Sequence, residues 1–333
     1  MKRLTVFSVV LIVALAMTSA VWGQTEKINF KLGHMLAVDT AWHKAAVMFS
    51  DKTKEYTKGA VEVTVYPAQQ LGDERTLVEG IFTGAVDVLI QGAGYSVGGV
   101  PEVSVAELPF LYKNYAHAAK AIPQVVVPYM NSKMIPKGVR LLEGAYAYTA
   151  YRGVLSRTNP IKTFDDIKGV KIRVPQNPVY VNTFKAAGAN PTVINFGELY
   201  TALQSGVVEA CELTPELIVG AKLQETSKYF SLTNHILAPL FLGINEKSWQ
   251  KAAKYQPELL KAANETMAWF RAQTEENDGK FLKVLKDSGV TVTDPGDAER
   301  QKFREAAQVG YWNEFFGKFP DTKPVAEKVL TVQ

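Results

Sequence analysis

The sequence predicts an α/β protein of two domains with mostly parallel sheets. Three observations predict it. Strand-like alternation and helix-like spacing take turns along the chain. At 333 residues the chain exceeds one ordinary domain of about 100–200. And residues 257–289 carry the length and patterning of a helix that touches two bodies at once. A content of 47% hydrophobic and 21% charged residues is that of a globular protein.

The elements follow in order. Ile28, Phe30 and Leu32 alternate as a strand does. Residues 40–57 then place Trp42, Ala45, Ala46, Phe49 and Tyr56 at helical spacing, with Asp39 or Thr40 as N-cap. Val61, Val63 and Val65 form a strand, 74–82 a helix stopped by Gly84, and Val86, Val88 and Ile90 the next strand. Tyr146 to Leu155 is an aromatic-rich strand. Val170, Ile172 and Val174 point one way, Lys171 and Arg173 the other. Helices follow at about 178–187 and 197–204, and Val207–Val208 resumes a strand. Gly84-Ala-Val-Asp and Gly206-Val-Val-Glu echo each other. Either both are glycine helix caps, or two lobes share one plan.

In 257–289, Leu260, Ala263, Met267 and Phe270 form one stripe and Phe281, Leu282 and Leu285 another, with 271–280 almost wholly polar between them. That pattern predicts a helix bridging two domains across solvent, about 50 Å long, with Gly279 a flex point. The alternative is two helices broken at Asn277–Asp278–Gly279.

Several functions are not expected. A formal charge of +4 gives no polybasic surface, so nucleic acid is not a partner. The single Cys211 allows no internal disulfide and reads as an inert buried thiol. Four scattered histidines form no metal motif, so no metal or other cofactor is expected. Residues 1–23 read as a secretory signal peptide: Lys2 and Arg3, an apolar run, then small residues. The run is shorter than the roughly 20 residues of a membrane span. The mature chain is therefore expected to be soluble and extracytoplasmic, in the periplasm of a Gram-negative cell.

Candidate chemistry centres on Arg152 and Arg173, whose guanidiniums can bind a small anion or form internal ion pairs. His34 follows Gly33 at a strand end and is a site candidate or a packed histidine. Gly94-Tyr-Ser-Val-Gly98 matches the nucleophile elbow of a serine hydrolase around Ser96. Yet Gly99-Val-Pro101 follows where the elbow needs a helix, so a ligand-facing loop is the better reading and a secreted hydrolase the alternative.

Four segments carry a resemblance: PAQQLGDER at 67–75, LPFL at 108–111, GVKIRVP at 169–175 and FGELYTALQ at 196–204. In this order and spacing, from about Lys27 onward, the chain resembles the DctP family, the extracytoplasmic solute-binding proteins of TRAP transporters. The resemblance implies a two-lobe periplasmic binding protein fold with a hinge and a long bridging helix. It implies lobe I at 24–149 with 239–278 returning to it, and lobe II at 150–238 with 279–333. It implies no enzyme activity and delivery of an organic anion to a small DctQ-like and a large DctM-like membrane subunit; a monomer is the default expectation.

By the same resemblance, Arg173 pairs with the ligand's acidic group and Arg152 supplies a second guanidinium. Phe196 is a cleft-wall aromatic, Gln176 and Glu74 touch ligand, and Tyr95 lies in the loop that varies with substrate. Sialic-acid binders carry a charged pair at the positions of Gly92 and Tyr95; both are uncharged here. Leu213 stands where an Asn often contacts ligand. The expected site is thus smaller and less polar than a sugar-acid site. Small hydroxy or keto acids and C4-dicarboxylates are expected first, and a small sulfonate such as isethionate second, since three acidic oxygens suit two guanidinium forks.

Overall fold

The computed structural model describes residues 27–333; the expected signal segment at 1–23 lies outside the described residues. Two sheets organise the chain. The first holds β1 (Ile28–Gly33), β2 (Val61–Tyr66), β3 (Val88–Gln91), β4 (Val139–Tyr151) and β10 (Leu237–Asn245), in the order β2-β1-β3-β10-β4. The second holds β5 (Gly153–Ser156), β6 (Lys171–Val174), β7 (Asn190–Val193), β8 (Ala210–Leu213), β9 (Tyr229–Ser231) and β11 (Thr291–Thr293), in the order β11-β9-β5-β8-β6-β7.

Read from β7, the second order corresponds strand for strand to the first over five strands, with β11 added at its edge. β2-β1-β3 and β7-β6-β8 are each parallel. The fourth strand, β10 or β5, runs against its neighbours on both sides. Both sheets are thus mostly parallel, as expected, with one reversed strand in each that the sequence did not predict. The reason is the crossing between lobes. β4, fifth in the first sheet, runs on through Arg152 into β5, fourth in the second; β9 returns likewise into β10. A strand that arrives from the other lobe enters from the opposite end. The crossings are tied by the Arg152 N–H donating to the Ile236 carbonyl at 2.9 Å.

Local chemistry explains the flanking helices. In α1 (Ala41–Tyr56), the Thr40 hydroxyl accepts from the His43 N–H, and Trp42, Ala45, Ala46 and Phe49 are buried. In α2 (Glu74–Thr83), Asp73 caps the Thr76 N–H at 2.9 Å. α3 (Pro178–Ala186) starts on an Asn177 cap. α2 and α4 (Leu199–Ser205) both end on left-handed glycines, Gly84 at φ 86° and Gly206 at φ 80°, a conformation that a Cβ disfavours. Both lead to the third strand of a sheet, so the sequence echo reflects helix capping and a shared plan together.

α5 (Gln256–Asp287) is one unbroken helix of 32 residues. Its N-terminal half packs on β4 and α1 through Leu259, Ala263, Met267 and Phe270; its end meets β11 and the helix Pro215–Gly220. The expected solvent-crossing middle is corrected. Those polar residues grip β4 and its neighbour: Thr274 Oγ1 donates to the Tyr148 carbonyl at 3.0 Å and Arg271 to that of Tyr146, while Asp278 accepts from Tyr115 Oη, on the helix Tyr115–Ala121, at 2.9 Å. A strand backbone and tyrosine tips need polar partners, which an apolar helix face would deny.

Gly279 is exposed in α5 and a Cβ there would meet nothing within 4 Å. Gly279→Ala is expected to raise the unfolding free energy by about 0.5–1 kcal/mol. A denaturant melt showing no gain would mean that the residue is not plainly helical in solution.

Candidate functional site

The C-terminal ends of β1, β3, β6 and β8 face one another across the crossing strands, the place where open α/β sheets take ligands. A cavity of about 670 Å³, counted out to its mouth, lies there. Arg173, the third residue of β6, projects into it and is 2% exposed. Its backbone is held between β7 and β8, and its Nε donates to the Ile194 carbonyl at 2.8 Å. No ion pair holds its guanidinium among the described residues. Burial pushes its pKa down, with Glu212 and Glu74 opposing, so the charge is held against a desolvation cost.

Arg152 also lines the cavity, between β4 and β5, but its fork is taken. Nε and Nη2 donate to Glu212 Oε2 and Oε1 at 2.5 and 2.8 Å, and Nη2 reaches the Glu212 carbonyl at 3.1 Å. The guanidinium stacks over Tyr180 at 4.9 Å. His235 Nε2 stands 3.5 Å from Glu212 Oε2, with Nδ1 bound to Thr233 Oγ1 at 2.8 Å. Burial would push Glu212 up, yet Arg152 and His235 hold it below its ordinary value. The expectation of two free guanidinium forks is corrected to one, and the physical reason is this buried pair.

Glu74, half-buried at the start of α2, accepts from Gln91 Nε2 at 3.0 Å; burial pushes its carboxyl up, with Arg173 opposing. Phe196 and Leu213 form apolar wall with Trp42 and Leu240. Gln176 stands outside the main cavity, on an adjoining recess shared with Glu74, Arg173 and Phe196.

Two expected site residues are not on the wall. Tyr95 is turned inward by the short 3₁₀ helix Ala93–Gly98 and fully buried; its Oη donates to the Leu89 carbonyl at 2.9 Å. Gly243 makes this possible, because a Cβ there would overlap the phenol. His34 is buried against His43, with Nε2 to Nδ1 at 3.0 Å, and burial beside that second ring pushes its pKa down to about 4. Its successors Met35 and Leu36 line the cavity instead.

Ser96 is 6% exposed and its Oγ has no hydrogen-bond partner. Among the described residues no base hydrogen-bonds it, so the hydrolase alternative lacks an activated nucleophile. Cys211 is buried and its thiol is pushed up to about 12 by that burial. No cluster among the described residues could hold a metal ion, and no described helix is long and apolar enough to cross a membrane.

The wall is more polar than expected. Gln91, Glu107, Thr149, Asn177 and Tyr180 all line it. The uncharged Gly92 misleads: its missing side chain is the space that Glu107 fills, since a Cβ at Gly92 would overlap Glu107 Oε1. Asn177 alone carried a readable signal, as the residue before Pro178 after a strand.

The sequence matches the family described as bacterial extracellular solute-binding protein, family 7 (DctP), over residues 32–318. The chain belongs to this family. This solute-binding protein is 30% identical to the 2,3-diketo-L-gulonate-binding periplasmic protein YiaO of Escherichia coli, over 84% of each chain. It is 31% identical to the C4-dicarboxylate-binding periplasmic protein DctP of Rhodobacter capsulatus, over 84% of this chain and 83% of that one. Its fold matches a TRAP periplasmic solute-binding protein of Haemophilus influenzae with bound L-gulonate: TM-score 0.86, 28% identity, covering 92% of this chain and 100% of that one. The two-lobe fold with its bridging helix is thus that of TRAP solute-binding proteins.

Proposed function

We propose that this protein is a non-enzymatic periplasmic receptor that closes on one small organic acid and delivers it to TRAP membrane subunits. Arg173 is the observation that carries the reading: a buried guanidinium without an ion pair, facing an interlobe cavity. A ligand carboxylate supplies the charge and two acceptors that this fork needs. Closing the lobes expels water and strengthens the contact. The closed form is favoured only by the ligand's greater affinity for it. Arg152, fixed by Glu212, lines the same cavity as a positioned charge rather than a second clamp.

The acids bound by the relatives above support this reading. Carboxylates come before sulfonates, because a three-oxygen sulfonate called for two free forks. The lobes we assign are 24–149 with 239–278, and 150–238 with 279–333. The receptor acts as a monomer, and its docking partners are a small DctQ-like and a large DctM-like subunit.

A thermal-shift screen of organic acids and sulfonates tests the reading. A ligand at a hundredfold over Kd should stabilise the protein by about 2.7 kcal/mol. No shift with any acid at millimolar concentration would sink it.

A further inference from the structure

The cavity holds more acid than an anion site requires. Glu74 lies beside Arg173, while Glu107, 4% exposed, lies on the Arg152 side. Glu107 ends the turn Pro101–Glu107 and reaches the wall through the gap that Gly92 leaves. Its Oε2 accepts from Asn177 Nδ2 at 3.1 Å, and Tyr180 is its neighbour. The Arg152 charge lies near this carboxylate, and an ionised carboxylate only accepts hydrogen bonds. Glu107 and Arg173 line the same cavity, so an acid seated on Arg173 can bring its other end to this carboxylate.

We propose that Glu107 reads the far end of the ligand. It accepts a hydrogen bond from a ligand hydroxyl and repels a second carboxylate. The protein then takes hydroxylated monocarboxylates and rejects dicarboxylates of the same carbon skeleton. This rests on the organic-acid reading of the site. Discrimination comes from both sides: a matched hydroxyl adds a hydrogen bond to the buried carboxylate, and a like charge meets it desolvated.

Matched pairs isolate the effect. Threonate and tartrate, gluconate and glucarate, and galactonate and galactarate differ only in whether the far carbon is CH2OH or carboxylate. Calorimetry on the wild type should find the tightest of the three monocarboxylates bound at least about 100-fold tighter than its dicarboxylate partner. Glu107→Gln should cut that ratio at least about tenfold, since the amide can donate to a carboxylate. Glu107→Asp keeps the charge on a shorter arm: it should still reject dicarboxylates while weakening the monocarboxylate. Melting curves of both variants establish that they fold.

A dicarboxylate bound within tenfold of its partner overturns the proposal, as does an unchanged ratio in folded Glu107→Gln. If none of the six binds but another acid from the thermal screen does, the proposal fails and the organic-acid reading stands. If no acid binds at all, that reading fails first.

Discussion

Glu212→Gln should lower the unfolding free energy at pH 7 by about 3–5 kcal/mol, read from denaturant melts. Glu212 is fully buried and holds Arg152, itself 7% exposed, through two charge-assisted bonds. The amide leaves a buried guanidinium without its counter-charge. The loss is large because the charge that remains is buried from water and has lost the carboxylate bound to its fork. The folded-state pKa of Glu212 lies below its ordinary value, so the stability it contributes is present above the unfolded carboxylate value of about 4.3. That contribution disappears as pH falls through the lower, folded value. The gap between wild type and variant should therefore narrow in acid. A variant as stable as wild type at pH 7, or a gap that pH does not change, would contradict a buried ion pair at the lobe crossing.

Arg173→Ala should weaken the best ligand from the thermal screen by about 2–3 kcal/mol or more, roughly 30- to 150-fold. Arg173→Lys should also fail, because a point charge cannot reproduce the planar fork. Stability separates an anchor from a structural arginine. Arg173 has no ion pair among the described residues, and burial disfavours its charge. The unliganded Arg173→Ala protein should thus melt no lower than a small cavity would explain. Calorimetry showing unchanged affinity, or a collapse in stability to match the affinity loss, would remove Arg173 from its assigned place. The contrast with Glu212 is physical: one change breaks a satisfied pair, the other deletes a charge that awaits its partner.

Much of the framework was legible from local pattern. Alternation marked β1, β2 and β6, apolar spacing marked α1 and α5, and Gly84 and Gly206 marked helix ends. Each of these depends on neighbours within one helical turn or one strand repeat. Arg173 was legible too, since a charged residue on a strand whose other face is apolar must look toward a cleft or a counter-charge. The direction of β5 and β10 was not legible. Alternation reads the same in either sense, and only the crossings between lobes set it.

The site's electrostatics belonged to the tertiary structure. Arg152 meets Glu212 across 60 residues and Asn177 meets Glu107 across 70. No period or motif spans such distances. Tyr95 turns into the core because Gly243, on a strand from the far side of the chain, leaves room for its phenol. Gly92 looked like a missing charge and proved to be the opening for another residue's charge. Chain-local order follows from steric and hydrophobic repeats that a sequence displays directly. Which buried charges find partners, and which stay open to a ligand, follows from long-range packing, because desolvation and ion pairing depend on what the fold brings within a few ångströms.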